Sequence, residues 1–242
     1  LEVLMLEAGA PGGKVNLTAH IENYPSYESI SGPDLAVKMY EHAVSLGIKV
    51  QYGEVQSLEK FDNVYRALIN GKEQVYKAVI VCTGTTEKPL PALNADKYLN
   101  HGISYCAVCD GRFFKGQPVA IVGGGDSALE EALYLTEICS PVYLIHRRDA
   151  FRAYDILIKK VLDSQIILVL DSVVEEVKGE RNVESIQVKN VKNNSVKMLD
   201  VKAVFPFVGS ISNTSVIKDE TTKDEKGYLL VNTSFETASA GL

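Results

Sequence analysis

The stretch PVAIVGGGDSALEEALYLTEICSPVYLIHRRD, residues 118–149, carries the pattern that decides the fold. An apolar segment ends in three glycines, a segment with apolar residues three or four apart follows, and a second apolar segment comes last. This order predicts a strand, a tight turn, a helix and a second strand parallel to the first. We therefore predict an α/β fold built on such βαβ units.

The turn in this stretch, Gly123 to Ala128, fits the pattern G-x-G-x-x-A of dinucleotide-binding units. The first glycine permits the tight turn, the second lets the backbone approach a pyrophosphate, and the small Ala128 lets helix and strand pack closely. The helix N-terminus offers free N–H groups to phosphates. A glycine loop that serves packing alone is the alternative. The phosphate site that we predict comprises Gly123, Gly124, Gly125, Asp126 and Ser127.

Basic residues follow the second predicted strand. His146 lies 21 positions beyond Gly125, where an NAD site would carry an acidic residue for the ribose hydroxyls. Arg147 and Arg148 follow it directly, and Arg152 is close by. Guanidinium groups attract a 2′-phosphate, so we favour NADPH over NADH and predict that His146, Arg147, Arg148 and Arg152 bind it. A solvated basic strand end without a ligand is the alternative.

The sequence CAVCD, residues 106–110, lies just upstream of the glycine turn. Cys106 and Cys109 could form a redox disulfide, in which one sulfur attacks a substrate disulfide and the other resolves the mixed disulfide. Asp110 could shuttle the thiol proton. Half of a zinc site and an inert pair are the alternatives, but zinc needs two further ligands and no second close pair of cysteines exists. We favour the redox pair and predict no metal site.

The N-terminal segment LEVLMLE looks like the second strand of another βαβ unit. It ends in the charged Glu7, and the pair Gly12-Gly13 follows five residues later. A complete unit would need about two dozen residues before Glu7, the span from Gly123 to His146, whereas six are present. We therefore expect the sequence to begin inside a second nucleotide-binding unit and to be part of a longer protein.

The composition indicates which kinds of partner and environment suit the protein. The net charge is −6 and the longest basic run has three residues, which argues against a nucleic-acid surface. Apolar runs stay far below the roughly 18 residues that span a bilayer, so we predict no membrane segment. Four cysteines in 242 residues are too few for a disulfide scaffold and fit a reducing compartment. We expect the isolated Cys82 and Cys139 to be inert core residues.

Further elements are predicted along the chain. Residues 33–46 predict a helix with Leu35, Met39, Ala43 and Leu46 on one face, and Asn70-Gly71 predicts a hairpin turn. AVIVC, residues 78–82, predicts a buried strand, and the last thirty residues predict strands and turns. The two linkers that composition indicates lie around Pro89 to Pro91 and around residues 205–212.

Together these motifs resemble one family, the low-molecular-weight bacterial thioredoxin reductases. The resemblance covers nearly the whole chain and rests on PGGKVNLTAHIENYP, VIVCTG, SYCAVCDG, VAIVGGGDSALEEALYL and LIHRRDAFRA, in the family's order. It implies two Rossmann-like three-layer domains, with an NADPH domain (residues 88–211) inserted into an FAD domain (residues 1–87 and 212–242). It also implies a homodimer, which we expect to be cytoplasmic, that passes electrons from NADPH through FAD and the disulfide to thioredoxin.

Two alternatives accompany this resemblance. The flavoprotein subunit of alkyl hydroperoxide reductase shares the motifs, and a protein of another class, a non-catalytic NADPH-binding redox sensor, would also carry the glycine turn and the cysteine pair. The flavin content of the full-length protein separates the sensor from the reductase.

The resemblance also implies roles for single residues. Cys109 would face the flavin as the charge-transfer thiolate, Cys106 would attack thioredoxin, and Asp110 would be the acid. The inserted domain would rotate about linkers at residues 87–91 and 207–212. Segments that contact FAD in the family match Glu7, Gly12, Gly13, Lys14, Asn23, Thr83 and Gly84.

Three departures from the family pattern bear on the flavin. The first glycine turn is absent, the sequence stops at TASAGL just before a Gly-Asp that holds the flavin, and Lys14 stands where the family has Gln. We therefore expect an incomplete flavin site in these 242 residues.

Overall fold

The computed structural model describes residues 2–242, which form two compact units. The first unit comprises the chain up to Thr86 together with Ser210–Leu242, and the inserted unit is Glu87–Gly209. The sequence-based boundaries lie after residues 87 and 211. In chain order the elements are β1 (Leu4–Glu7), α1 (Gly32–Ser45), β2 (Lys49–Tyr52), β3 (Val55–Phe61), β4 (Val64–Ile69), β5 (Lys72–Tyr76), β6 (Thr85–Glu87), α2 (Ala107–Asp110), β7 (Val119–Gly123), α3 (Asp126–Thr136), β8 (Val142–Ile145), α4 (Asp155–Leu162), β9 (Ile167–Val169), β10 (Ser172–Lys178), β11 (Ser185–Asn190), β12 (Val196–Asp200), β13 (Ala203–Phe207) and β14 (Ser210–Ser212).

The inserted unit has three layers around a parallel sheet of order β13-β7-β8-β9. On one face, Val119 and Ile121 of β7 pack in a core with α3 and α4. On the other face, Ala120 and Val122 pack against the antiparallel sheet β10-β11-β12. All residues of β7 are buried, as is typical of a parallel strand covered on both sides. The predicted α/β class is confirmed.

The predicted βαβ unit is present as β7-α3-β8. Its strand and helix approach closely at Gly123, where a Cβ would lie 2.7 Å from the Cβ of Ala128. β7 and β8 are parallel neighbours, so their carboxyl ends meet at one edge of the sheet. The glycine turn and the basic residues from His146 onward therefore lie at the same edge.

The glycine turn is in direct contact at this edge with the basic loop, residues 146–152. A Cβ on Gly124 would lie 2.3 Å from the ring of His146, so only glycine lets the ring pack there. The His146 ring is buried, stacks on Phe151 with ring centroids 5.5 Å apart, and has Nε2 3.2 Å from the Ala150 carbonyl oxygen. The Arg152 N–H donates to the Gly124 carbonyl at 2.8 Å. These contacts fix the basic loop against the turn.

The first unit holds smaller sheets. β1 pairs in parallel with β2, and β3-β4-β5 form an antiparallel sheet. The predicted hairpin turn is confirmed, because Asn70 and Gly71 both have positive φ, 48° and 74°, between β4 and β5. α1 begins at Ser31, whose hydroxyl accepts the Asp34 N–H at 3.2 Å. The core of this unit consists of Leu58, Tyr65, Ala67, Ile69 and Ile217.

The buried strand predicted over residues 78–82 is wrong. Within the described residues this segment pairs with no strand, Ile80 is 90% exposed, and Cys82 is exposed. An apolar run becomes a buried strand only where a neighbouring strand accepts its backbone hydrogen bonds. The expectation that Cys82 is a core residue is therefore wrong, whereas Cys139 is buried as expected.

The predicted apolar face of α1 is only partly buried. Leu35 and Ala36 are buried, but Met39 and Leu46 are exposed. The helix is covered only at its first turns, where it contacts the 3-10 helix Gly13–Leu17. A helical period shows which residues share a face and not how far along the helix that face is covered.

Two predictions near the C-terminus need correction. Phe205 belongs to no linker, because it is fully buried in β13, and the chain leaves the inserted unit after Gly209. Residues 213–242 form turns and the 3-10 helix Glu220–Thr222 instead of strands. Asp219, Asp224 and Asn232 accept hydrogen bonds from nearby backbone N–H groups, which favours turns over a sheet ladder.

The buried carboxyl group of Glu131 on α3 lowers the stability of the folded state when it is ionised. Its Oε2 is buried and has no hydrogen-bond partner among residues 2–242. Burial, with a further contribution from the Glu130 carboxylate, raises the pKa of Glu131 from 4.5 to about 7. The folded state therefore binds the proton more tightly than the unfolded state. This contribution to stability is present below the unfolded pKa and is lost as the pH rises through the folded pKa.

We expect Glu131→Gln to raise the free energy of unfolding at pH 8 by about 1–3 kcal/mol and to change it little at pH 5. The amide removes the buried charge that the wild type must carry at pH 8. Urea unfolding at both pH values measures the difference, with the exposed Glu137→Gln as control. An effect of equal size at both pH values would contradict this account of Glu131.

The neighbouring glycines of the turn form a matched pair of variants. Gly124→Ala should lower the free energy of unfolding by about 1–3 kcal/mol, because its methyl group collides with the His146 ring. Gly125→Ala should change it by less than about 0.5 kcal/mol, because no atom lies within 4 Å of a Cβ there and its φ of −105° suits alanine. Thermal or urea unfolding checks both, and equal losses would show that the His146 contact does not stabilise the unit.

Candidate functional site

The cysteine pair forms a disulfide at the start of α2. Cys106 and Cys109 are bonded with their Cα atoms 5.3 Å apart. Cys106 is the N-cap of α2, and its Sγ accepts the Cys109 N–H at 3.0 Å. The Ser104 hydroxyl oxygen accepts the Cys106 N–H at 3.1 Å. Cys106 is half-buried and Cys109 is exposed, so the disulfide lies at the surface of the inserted unit.

The redox turn, residues 104–111, is anchored to the end of α3. Ala107 is buried in the core that β7 forms with α3 and α4. A Cβ on Gly111 would lie 2.6 Å from a methyl group of Leu135. The thiol of Cys139 approaches the Gly111 carbonyl oxygen at 3.6 Å. Burial raises the pKa of this thiol, so Cys139 stays protonated and does not compete with the pair as a nucleophile.

Asp110 belongs to the same helical turn as the disulfide. The Asp110 N–H donates to the Cys106 carbonyl at 3.1 Å, and Asp110 is half-buried. Its role as a proton shuttle stays a prediction. Among residues 2–242, no group of three or more His, Cys, Asp and Glu side chains is placed to hold a metal ion.

The glycine turn has the open backbone that a phosphate site needs. Space around Gly125 is free, and the first intrahelical bonds of α3 are made by the Ala128 and Leu129 N–H groups to the Gly125 carbonyl. The preceding N–H groups therefore have no partner within the helix. Ser127 is exposed at this end, whereas the Asp126 carboxylate accepts the Tyr154 N–H at 2.8 Å and so caps α4.

Three arginines surround this turn. Arg147, Arg148 and Arg152 are exposed, and none lies within ion-pair distance of a carboxylate in the described part of the chain. Burial lowers the pKa of His146 despite its hydrogen bond to Ala150, and the charges of the three arginines lower it further. His146 is thus a neutral ring beneath the turn. The ring packs against the backbone of Gly124, and the NADPH contact predicted for His146 stays a prediction.

The residues predicted to contact FAD all lie in the first unit. Glu7 ends β1, and its Oε1 accepts the Gly9 N–H at 2.9 Å. Gly12 and Gly13 have φ of 109° and 49°, a left-handed turn that suits glycine. Gly12 packs against Ala36 of α1, while the space around Gly13 is open. Lys14 follows within the 3-10 helix Gly13–Leu17.

The other segments of this set are exposed loops. Asn23, Thr83 and Gly84 are all exposed. Asn213 holds the second loop, since its side-chain amide donates to the Thr83 carbonyl and its N–H donates to the Gly84 carbonyl, both at 3.0 Å. Sequence motifs did not identify Asn213, because it is 130 residues from Thr83.

Every helix in the described residues is too short or too polar to cross a bilayer.

Comparison with known proteins agrees with this arrangement. The sequence profile described as "Pyridine nucleotide-disulphide oxidoreductase" matches residues 1–242. A thioredoxin reductase of Mycoplasma pneumoniae is 38% identical over 245 residues, which cover 100% of this chain and 78% of that protein. A thioredoxin reductase of Listeria innocua is 36% identical and covers 100% of this chain and 76% of its own length.

Solved structures give the same result. Thioredoxin reductase of Lactococcus lactis superposes with a TM-score of 0.97 at 38% identity, covering 100% of this chain and 80% of that chain. The T. acidophilum thioredoxin reductase superposes with a TM-score of 0.94 at 30% identity, covering 99% of this chain and 80% of that chain. The chain belongs to the pyridine nucleotide-disulphide oxidoreductase family.

Proposed function

We propose that the protein is a flavoprotein disulfide reductase that uses NADPH to reduce oxidised thioredoxin through Cys106 and Cys109. The observation that carries the proposal is one compact unit that holds both a surface disulfide and an open glycine turn, near three arginines that have no carboxylate partner among residues 2–242. The thioredoxin reductases named above support thioredoxin as the substrate. Assembly as a homodimer in the cytoplasm belongs to the same proposal.

The residues of the inserted unit fit NADPH. The open space at Gly125 can take a pyrophosphate, which the N–H groups at the start of α3 would bind. Arg147, Arg148 and Arg152 would bind the 2′-phosphate, because guanidinium groups make paired hydrogen bonds to phosphate oxygens. His146 and Phe151 would support this loop from beneath without touching the phosphate.

The residues of the first unit fit part of FAD. Glu7 at the end of a parallel strand suits ribose hydroxyls, and the open turn at Gly13 can approach the cofactor. The remaining contacts would come from Gly12, Lys14, Asn23, Thr83 and Gly84. The sequence has a single G-x-G-x-x-A turn, which lies in the inserted unit, so the residues named here account for part of a flavin site. When bound, FAD would relay two electrons from the nicotinamide to the disulfide.

The reduced cysteines then perform the thiol chemistry. Cys106 Sγ attacks one sulfur of oxidised thioredoxin, and the other thioredoxin sulfur leaves with a proton that Asp110 supplies. Cys109 Sγ then attacks Cys106 Sγ, which releases reduced thioredoxin and restores the disulfide. The Cys109 N–H at 3.0 Å from Cys106 Sγ stabilises negative charge on that sulfur, which suits Cys106 as the nucleophile.

We expect Cys106→Ser to lower NADPH-dependent reduction of thioredoxin by the FAD-loaded enzyme at least about a hundredfold, because serine forms no mixed disulfide. A coupled assay of thioredoxin reduction measures this rate. Cys82→Ser is the matched control, since Cys82 is an exposed free thiol in the first unit, and it should retain the wild-type rate within about twofold.

Two outcomes would contradict the proposed function. Full activity of Cys106→Ser would show that the pair does not reduce the substrate. A wild-type enzyme that binds NADPH and FAD but never reduces thioredoxin would favour a redox sensor or a peroxidase-coupled reductase.

A further inference from the structure

The basic loop, residues 146–152, contains one acidic residue, Asp149, in the middle of its arginines. Its carboxylate does not pair with any of them. Instead Asp149 Oδ2 lies 2.9 Å from Nζ of Lys192, and the same ammonium lies 3.0 Å from Oδ1 of Asp171. Lys192 is 43 residues from Asp149 in sequence, and no motif of the basic loop includes it.

Hydrogen bonds of the backbone position Lys192 beside Asp149. It lies in the turn between β11 and β12, where the Asn190 side chain accepts the Lys192 N–H at 2.9 Å. The Val191 N–H donates to the Asp171 carbonyl at 2.6 Å, and the Asp171 N–H donates to the Arg148 carbonyl at 3.2 Å. The turn, the residue after β9 and the basic loop are thus tied together within the inserted unit.

The charges around Asp149 explain why such a partner matters. An exposed ion pair contributes little to stability, so the Lys192 contact is not needed to hold the fold. Hydrogen bonding to Lys192, together with its charge, lowers the pKa of Asp149, which keeps the carboxylate ionised. Without Lys192, this anion would remain beside arginines that have no other carboxylate partner in the described residues. It would then compete with a phosphate for them and repel it.

We propose that Lys192 is a specificity-determining positioning residue that holds the Asp149 carboxylate away from Arg147, Arg148 and Arg152 and so leaves them to the 2′-phosphate of NADPH. The inference rests on the proposed function, in which these arginines bind that phosphate. Lys192 acts through Asp149 and need not touch the nucleotide.

Binding of nucleotide fragments to the full chain tests this without catalysis. Adenosine 2′,5′-bisphosphate carries the 2′-phosphate and adenosine 5′-monophosphate lacks it, so calorimetric titration of both isolates the 2′-phosphate. We expect Lys192→Gln to weaken binding of the bisphosphate about fivefold at low ionic strength, and binding of the monophosphate by less than about twofold. High salt should reduce the difference.

A second substitution separates positioning from direct contact. In the double variant Asp149→Asn/Lys192→Gln, the carboxylate at position 149 is absent while Asp171 keeps its own, so recovery of the bisphosphate affinity to within about twofold of wild type would assign the effect to Asp149. Lys197→Gln, an exposed lysine of the same hairpin, is the matched control and should change neither affinity. Circular dichroism melting confirms that each variant is folded.

Several outcomes would overturn the inference. If Lys192→Gln keeps the wild-type preference for the bisphosphate, or weakens both fragments equally, Lys192 does not set specificity. If Asp149→Asn fails to rescue Lys192→Gln, Lys192 does not act through Asp149, which contradicts the inference. A wild-type protein without any preference for the bisphosphate would contradict the proposed NADPH site itself, and the Lys192 inference with it.

Discussion

The edge of the parallel sheet that carries the glycine turn and the basic loop depends on one constraint, the close approach of the Gly124 backbone to the His146 ring. A side chain at position 124 would displace the ring, and the ring in turn stacks on Phe151 and binds the Ala150 carbonyl. The Arg152 N–H returns to the Gly124 carbonyl. The glycine turn and the basic loop therefore pack directly against each other at one edge of the parallel sheet.

Helix α3 links this edge to the redox turn. Its first N–H groups face the open space at Gly125, and its end carries Leu135, against which Gly111 of the redox turn packs. The disulfide and the glycine turn are thus connected through α3 within the inserted unit. A surface disulfide at a helix N-cap is available to a protein substrate, while the buried Cys139 beneath it is held protonated.

The sequence predicted what local pattern determines. The period of the apolar residues, the glycine spacing and the Asn70-Gly71 turn are all local, and the strands, helix and hairpin that they predict are confirmed. Burial depends on distant segments. Residues 78–82 are as apolar as β7 but lack a pairing strand in the described residues, so Ile80 and Cys82 are exposed while Val79 and Val81 are only half-buried.

The same limit applies to the candidate site. The spacing of Cys106 and Cys109 suits a disulfide, half of a zinc site or an inert pair, and the structure shows the disulfide, with the Cα atoms 5.3 Å apart. The NADPH contact predicted for His146 rests on its position in the sequence, whereas the packing of its ring beneath Gly124 depends on tertiary structure. Asn213 and Lys192 reach their partners only through tertiary structure, and no local pattern marks either of them.

In the proposed mechanism, electrons from NADPH reach the Cys106 to Cys109 disulfide. Alkylation of the FAD-loaded protein by iodoacetamide after anaerobic incubation with NADPH, read residue by residue by mass spectrometry, measures this transfer. We expect NADPH, far more than NADH, to make Cys106 and Cys109 reactive together, while the exposed Cys82 reacts with or without cofactor. Cysteines that both stay blocked in the presence of NADPH and bound FAD would contradict the mechanism.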